Sequence, residues 1–217
     1  MALTKVRGGG VDNPLTLGGG SASDNSIVFD GNAQDFHIGL DDSADSLTIG
    51  LGSTLGTTSH MVIDANGHIT KPLQPGWFAT ANDNTVLTSG SYTQPLLKNE
   101  LWDNNSDYDA ASSGTHRFTA PVAGKYFVCG GIGIASNGVV TSRLICSIWK
   151  NDYLHQYIGA NYNASAQPYG TQGSTIVDLA ANDYVRMLIY VDGANRNTDF
   201  RTDAQYLSTF FGGYLLG

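Results

Sequence analysis

Glutamate is almost missing from this chain: Glu100 stands alone against eighteen Asp. Glu favours helices, whereas Asp and Asn hydrogen-bond their own backbone in turns. With 27 Gly as well, the composition argues against a helical protein and points to an all-β, turn-rich one. No stretch carries helical periodicity long enough to oppose that. Cations are scarce too: 11 Lys and Arg against 19 Asp and Glu give a net charge of −8, and residues 8–70 contain no Lys or Arg. A nucleic-acid backbone needs clustered basic residues, so that partner is excluded and the acidity is read as solubility. No apolar run approaches the roughly 20 residues of a membrane span, so no membrane insertion is expected. The opening MALTKVRGGG lacks the apolar core of a signal peptide. Only two cysteines occur, Cys129 and Cys146, both in apolar, strand-like surroundings. They are expected as buried free thiols.

What is present divides into three zones. Residues 1–20 form a leader in which two GGG triplets bracket VDNPLTL. Its few apolar residues cannot fold alone, so it should order only against a partner. Residues 21–75 repeat a theme of apolar pairs two apart: Ile27/Phe29, Leu47/Ile49 and Met61/Ile63. This alternation marks half-buried strands. Asp30-Gly31 and Asn66-Gly67 predict tight turns, and MVIDANGHIT reads as a complete hairpin. The zone has too few large apolar side chains for a core of its own, and chains winding into a thin β-rich shaft would supply one. The segment KPLQPG, Lys71 to Gly76, is a natural junction.

Residues 76–217 read as one globular domain. HRFTAPVAGKYFVCGGIGIAS offers two strands around the Pro121–Gly124 corner. VVTSRLICSIWKND alternates Leu144, Cys146 and Ile148 inward and ends at an Asn151-Asp152 turn. GSTIVDLAANDYVRMLIYVDG gives two strands around Ala181-Asn182-Asp183, and YLSTFFGGYLLG supplies the last. Strand after strand with turns between predicts an antiparallel sandwich or jelly roll.

YDAASSGTHRFTAPVAGKYFV resembles the signature of the C1q/tumour-necrosis-factor-like jelly roll, in which an aromatic-Asp pair leads to Phe-x5-Gly-x-Tyr. Tyr108-Asp109, Phe118, Gly124 and Tyr126 stand in those places, with Leu97 and Asp103 at the family spacing upstream. LAANDYVRMLI resembles the family's Leu-x-x-Gly-Asp-x-Val strand through Leu179, Asp183 and Val185. STFFGGYLLG resembles its closing strand through Phe210, Gly212, Leu215 and Leu216, with Phe211 replacing Ser and Gly213 inserted. Separately, MALTKVRGGG, LTLGG and HMVIDANGHITKPLQPGWFA resemble tailed-phage fibre and appendage proteins. Together these resemblances imply a homotrimeric virion protein assembled in the host cytoplasm. Residues 1–20 would grip another virion protein, 21–75 form the shaft, and 76–217 the head. Phe118, Tyr126, Phe210, Tyr214, Leu215 and Leu216 would then serve the core or the trimer. The closing strand would run through the middle of the inner sheet, near the three-fold axis. Period-two alternation puts Phe210 and Tyr214 on one face. Phe211 would face elsewhere, around a bulge made by the extra glycine. Tail and head location stay open.

Candidate chemistry is sparse. Asp103, Asn105, Asp107 and Asp109 have the opening spacing of a calcium loop, but Tyr108 stands where Gly is needed and Gly114 where Glu is needed. An Asx-rich turn is the alternative, and no other cofactor is expected. Asp103/Asp107 and Asp41/Asp42 are the nearest carboxylate pairs for glycan hydrolysis, and both sit in turn-like or shaft-like stretches. The five histidines show no metal spacing, and Gly131-Ile132-Gly133 lacks the third Gly of a dinucleotide fingerprint. The expectation is therefore a non-enzyme, against a glycan depolymerase or a secreted C1q-like binding module. Tyr153, His155, Tyr157, Tyr162 and Tyr169, set among Asn, Gln, Ser and Gly, suit recognition of a host-surface carbohydrate or protein. A decorated loop beside a trimer neighbour is the alternative.

Overall fold

In a computed structural model, residues 16–111, 114–134, 141–164, 169–198 and 209–217 are described. They fall into two compact units that divide between Leu73 and Gln74, inside KPLQPG. All regular elements among them are strands.

The first unit is an antiparallel meander of β1 (Asn25–Phe29), β2 (Phe36–Asp41), β3 (Ser46–Leu51), β4 (Ser59–Ile63) and β5 (Ile69–Thr70), paired in chain order. The pairs Ile27↔Ile38, Ile38↔Ile49, Leu40↔Leu47 and Ile49↔Met61 bring the apolar residues of neighbouring strands onto one face. That face is open: Ile27, Phe29, Phe36, Leu40, Leu47 and Ile49 are all exposed. The polar face is the covered one. His37, Asp41, Ser46 and Thr48 are buried on it, where His37 Nδ1 donates to the Gly52 carbonyl at 2.9 Å. Strand β2 was not among the expected strands, although Phe36, Ile38 and Leu40 alternate. The tight turn expected at Asp30-Gly31 is instead the longer Asp30–Asp35 connection, tied by Gly31 N–H donating to Asp35 Oδ1. At the other turn signal Gly67 takes φ 84°. There Asp64 Oδ1 accepts the N–H groups of Asn66 and His68 and closes the β4–β5 hairpin.

The second unit contains β6 (Gly76–Thr80), β7 (Val86–Leu87), β8 (Tyr92–Thr93), β9 (Asn99–Asp103), β10 (Phe118–Thr119) and β11 (Gly124–Ile134). Then follow β12 (Thr141–Lys150), β13 (Tyr153–Ala164), β14 (Tyr169–Leu179), β15 (Tyr184–Asp192), β16 (Arg196–Asn197) and β17 (Phe210–Leu215). One sheet runs β14-β11-β17-β6-β9, and the other β10-β15-β12-β13 with β8 also on β15. Every pairing in both sheets is antiparallel. The chain crosses between the two sheets repeatedly, which makes the unit an antiparallel jelly-roll sandwich. Tight corners fall on Asx residues with positive φ, at Asn151 (47°), Asp152 (67°) and Asn182 (71°).

Between the sheets lies an aromatic centre. Trp77 stacks on Phe118 at 3.8 Å, Phe211 meets Trp77 edge-on at 5.3 Å, and Tyr126 tilts against Phe118 at 5.5 Å. Leu144, Cys146 and Ile148 of β12 and Val185, Met187 and Ile189 of β15 complete the core. Both cysteines are free; Cys146 is buried as expected, whereas Cys129, on the outward alternation of β11 with Phe127, is only half-buried. Burial pushes the Cys146 thiol up to about 12 and also raises that of Cys129.

Strand β17 is the middle strand of its sheet, held by β11 on one side and β6 on the other. Phe211 is fully buried, while Phe210 and Tyr214 lie on the opposite face. Neither pairing of β17 breaks register, so the bulge expected at the extra glycine is not there. Simple alternation turns Phe211 inward. Leu215 packs half-buried against the core. Leu216 lies beyond the strand and is 47% exposed.

Candidate functional site

The acidic stretch before β10 is bound up with its own backbone. Asp103 Oδ2 accepts the Tyr108 N–H at 2.7 Å, and Asp103 Oδ1 that of Asn105 at 3.3 Å. Asp109 accepts the Thr115 N–H and hydroxyl at 2.8 and 3.0 Å and the Ala111 N–H at 3.2 Å. These contacts, led by the Thr115 N–H, hold the Asp109 carboxyl below its ordinary range. Asp107 goes the other way: burial, then the charge of Asp103, raises it. It lines a 640 Å³ cavity with Tyr108, Asp109, Arg117 and Asn182. Among the described residues no three His, Cys, Asp or Glu side chains are grouped to hold a metal ion. In the other carboxylate pair, Asp41 Oδ1 accepts from the Ser43 hydroxyl and the Ala44 N–H.

His116 sits in the same region, buried, at φ 44°, with neither ring nitrogen paired among the described residues. Burial lowers its pKa from 6.5; the charge of Asp109 opposes this and that of Lys98 assists it. The folded state therefore holds the ring neutral while the unfolded chain protonates near pH 6.5. Stability is expected to fall as pH drops through that value. Thermal melts at pH 7.5 and 5.5 should show a loss that shrinks in His116→Gln.

The outward face of the β14-β11-β17-β6-β9 sheet is apolar and partly open. Phe78 stacks on Phe210 at 5.7 Å, and Phe127 meets Tyr214 at 5.4 Å. Trp102, Tyr214 and Ile176 beside them are 44%, 48% and 56% exposed.

The five residues singled out for surface recognition are split by the structure. Tyr153 is exposed where β13 begins. His155 Nε2 donates to the Ile176 carbonyl at 3.3 Å. Tyr169 opens β14 opposite Ile134, and its side chain lies outside the described residues. Tyr157 and Tyr162 share the outward face of the second sheet with residues from three other strands. Register places Tyr157 opposite Ser147 and Tyr162 opposite Arg143. The Tyr92 and Tyr157 hydroxyls are 2.7 Å apart. Tyr92 lies 5.2 Å from both Trp149 and Tyr190, and the Arg143 guanidinium caps the Tyr190 ring at 4.6 Å. Burial, then the Tyr157 hydroxyl, pushes Tyr92 up to about 12. Sequence reasoning missed Tyr92, Arg143, Trp149 and Tyr190. Part of the signal was there: if Leu144, Cys146 and Ile148 point inward, Arg143 and Trp149 must point out.

No family model matches the chain, and no curated protein matches it. Solved structures do. The globular domain of zebrafish complement 1qA protein is 15% identical over 66% of this chain and 98% of that one, with TM-score 0.47. Eiger TNF from S. frugiperda is 12% identical over 66% and 93%, with TM-score 0.45. Murine APRIL at pH 8.0 is 12% identical over 66% and 99%, with TM-score 0.49.

Proposed function

We propose that the chain is a self-associating, non-catalytic binding module, and more finely a homotrimeric bacteriophage appendage, a tail or head fibre. The observation that carries self-association is the open apolar face of the first unit. Six large apolar side chains, Ile27, Phe29, Phe36, Leu40, Leu47 and Ile49, are exposed on one side of one meander. Fully burying an exposed side chain of this kind is worth about 1.5–3 kcal/mol, and at 39–59% exposure the lone chain forgoes roughly half of that at each. The Phe78, Phe127, Phe210 and Tyr214 face offers the head a second surface of the same kind. Copies of this chain are the natural cover for both, because each copy brings the same surplus.

The trimeric state and the virion location draw on the sequence resemblances, with residues 1–20 as the grip on another virion protein. Light scattering at micromolar concentration should give three times the 23.0 kDa chain mass. Ile49→Asp, on the open face, should lower that mass. A monomeric native chain would overturn self-association. Immunogold labelling of the source particle should mark the tail or the capsid. Label on no particle would remove the virion reading.

A further inference from the structure

The two sheets of the jelly roll present different chemistry to solvent. One shows Phe78, Phe127, Phe210 and Ile176 with Trp102 and Tyr214 beside them, a mainly apolar surface with no guanidinium set among its rings. The other shows Tyr92, Trp149, Tyr157, Tyr162 and Tyr190, rings with hydroxyl or N–H handles, and a guanidinium set among them. We propose that this second face, on β8, β12, β13 and β15, is a platform for an acidic sugar, whose ring lies against Tyr157 and Tyr162 while its carboxylate takes Arg143.

The first support is preorganisation. The Trp149 indole N–H donates to Ser147 Oγ at 3.0 Å, and Ser147 Oγ donates to the Leu188 carbonyl at 2.7 Å. Tyr92 is fixed between Trp149, Tyr190 and the Tyr157 hydroxyl. Rings already held in place lose little entropy when a ligand arrives, which favours a small polar partner. Tyr157 and Tyr162 nevertheless remain 47% and 64% exposed. A sugar has a C–H face and a hydroxyl rim, and a tyrosine ring with its phenol complements both.

The second support is charge. A chain of net charge −8 places Arg186 on β15, the strand beside that of Arg143, and Arg117 directly before β10, over the Tyr184 ring at 4.2 Å. Arg143 lies 3.6 Å from Asp192, with side chains 39% and 44% exposed. An ion pair that open to water contributes little and leaves the guanidinium fork for a competing carboxylate. Packing a second copy here would instead dehydrate two ion pairs together, Arg143 with Asp192 and Arg186 with Asp152, against the single Lys125–Asp178 pair on the Phe-rich sheet.

This inference gives the binding module its ligand class and rests on the non-catalytic reading above. The test uses the full chain labelled with 5-fluorotryptophan. Its three tryptophans report separate places: Trp149 on the platform, Trp102 on the other sheet and Trp77 in the core. An oligogalacturonate should shift the Trp149 fluorine signal with a Kd on the order of 1 mM or tighter. Tyr162→Ala and Arg143→Gln should each weaken that binding on the order of tenfold, with unchanged melting. A neutral galactose oligomer of equal length should bind more weakly, and salt should narrow the gap. No Trp149 shift, a shift at Trp102 alone, or variants that bind like the native chain would overturn the platform. Equal binding of the neutral oligomer would overturn the role of Arg143. A Tyr162→Ala chain that loses assembly mass, with no sugar response in the native chain, would identify a second copy as the occupant and overturn the proposal. Light scattering keeps the two readings apart, since sugar binding by a monomer would sink self-association alone.

Discussion

Gly213→Ala is expected to cost the C-terminal unit about 3 kcal/mol or more, at the upper end of what overpacking a core costs. Gly213 is buried in β17, between Val128 of β11 and Trp77 of β6. A Cβ there would stand 2.4 Å from the Phe127 carbonyl oxygen and 2.6 Å from the Trp77 ring. The first neighbour is backbone in a paired strand and cannot swing away. The second is clamped by Phe118 and Phe211. Accommodation would have to part β17 from a neighbour, and β17 is the middle strand of five. Urea unfolding followed by tryptophan fluorescence should show a lower midpoint with little change in slope. An unchanged midpoint would mean that the β17–β11 spacing is looser than described. Gly213 is thus present for lack of space, and Trp77 fills what a side chain would have used.

Phe211→Ala should be as damaging, by the opposite route. Phe211 is fully buried, edge-on to Trp77 and 6.3 Å from Tyr108. Removing the ring leaves a hole bordered by rigid aromatic faces that cannot collapse into it, with an expected loss of about 3–5 kcal/mol. Against the 5–15 kcal/mol stability typical of a domain, that threatens folding at 37 °C. The informative control is Phe210→Ala, one residue away on the outward face. It should lower the unfolding midpoint of the isolated subunit far less and act mainly on assembly mass. Equal losses of midpoint would contradict the alternation of β17.

The strands of the jelly roll were legible because alternation and Asx-Gly turn chemistry are local. Leu144, Cys146 and Ile148 declare their face from spacing alone, and Asn151-Asp152 declares its turn from the ease with which Asn and Asp adopt positive φ. The Asp30-Gly31 turn was misread for the same reason. A dipeptide reports turn propensity, but the loop length is set by where β2 finds its register on β1. The bulge expected in β17 failed similarly, since an added residue in a motif does not reveal whether the partner strands grew with it. For the proposed recognition surface, Tyr157 and Tyr162 were visible as members of a tyrosine-rich segment. Their neighbours Tyr92 and Tyr190 lie far away in sequence, and the pairings of β8 with β15, β15 with β12 and β12 with β13 bring them together.

The sequence by itself determined an all-β chain with a junction near KPLQPG and a strand in YLSTFFGGYLLG. Composition and period-two spacing act over a few residues, and those residues carry the information. Only the tertiary structure decided which faces meet solvent. It left the apolar side of the first meander open and buried the polar one. It turned Phe211 inward and Phe210 outward, and it gathered Tyr92, Arg143, Trp149, Tyr157, Tyr162 and Tyr190 on one sheet face. Exposure depends on what packs from distant parts of the chain, and spacing along a single strand cannot encode it.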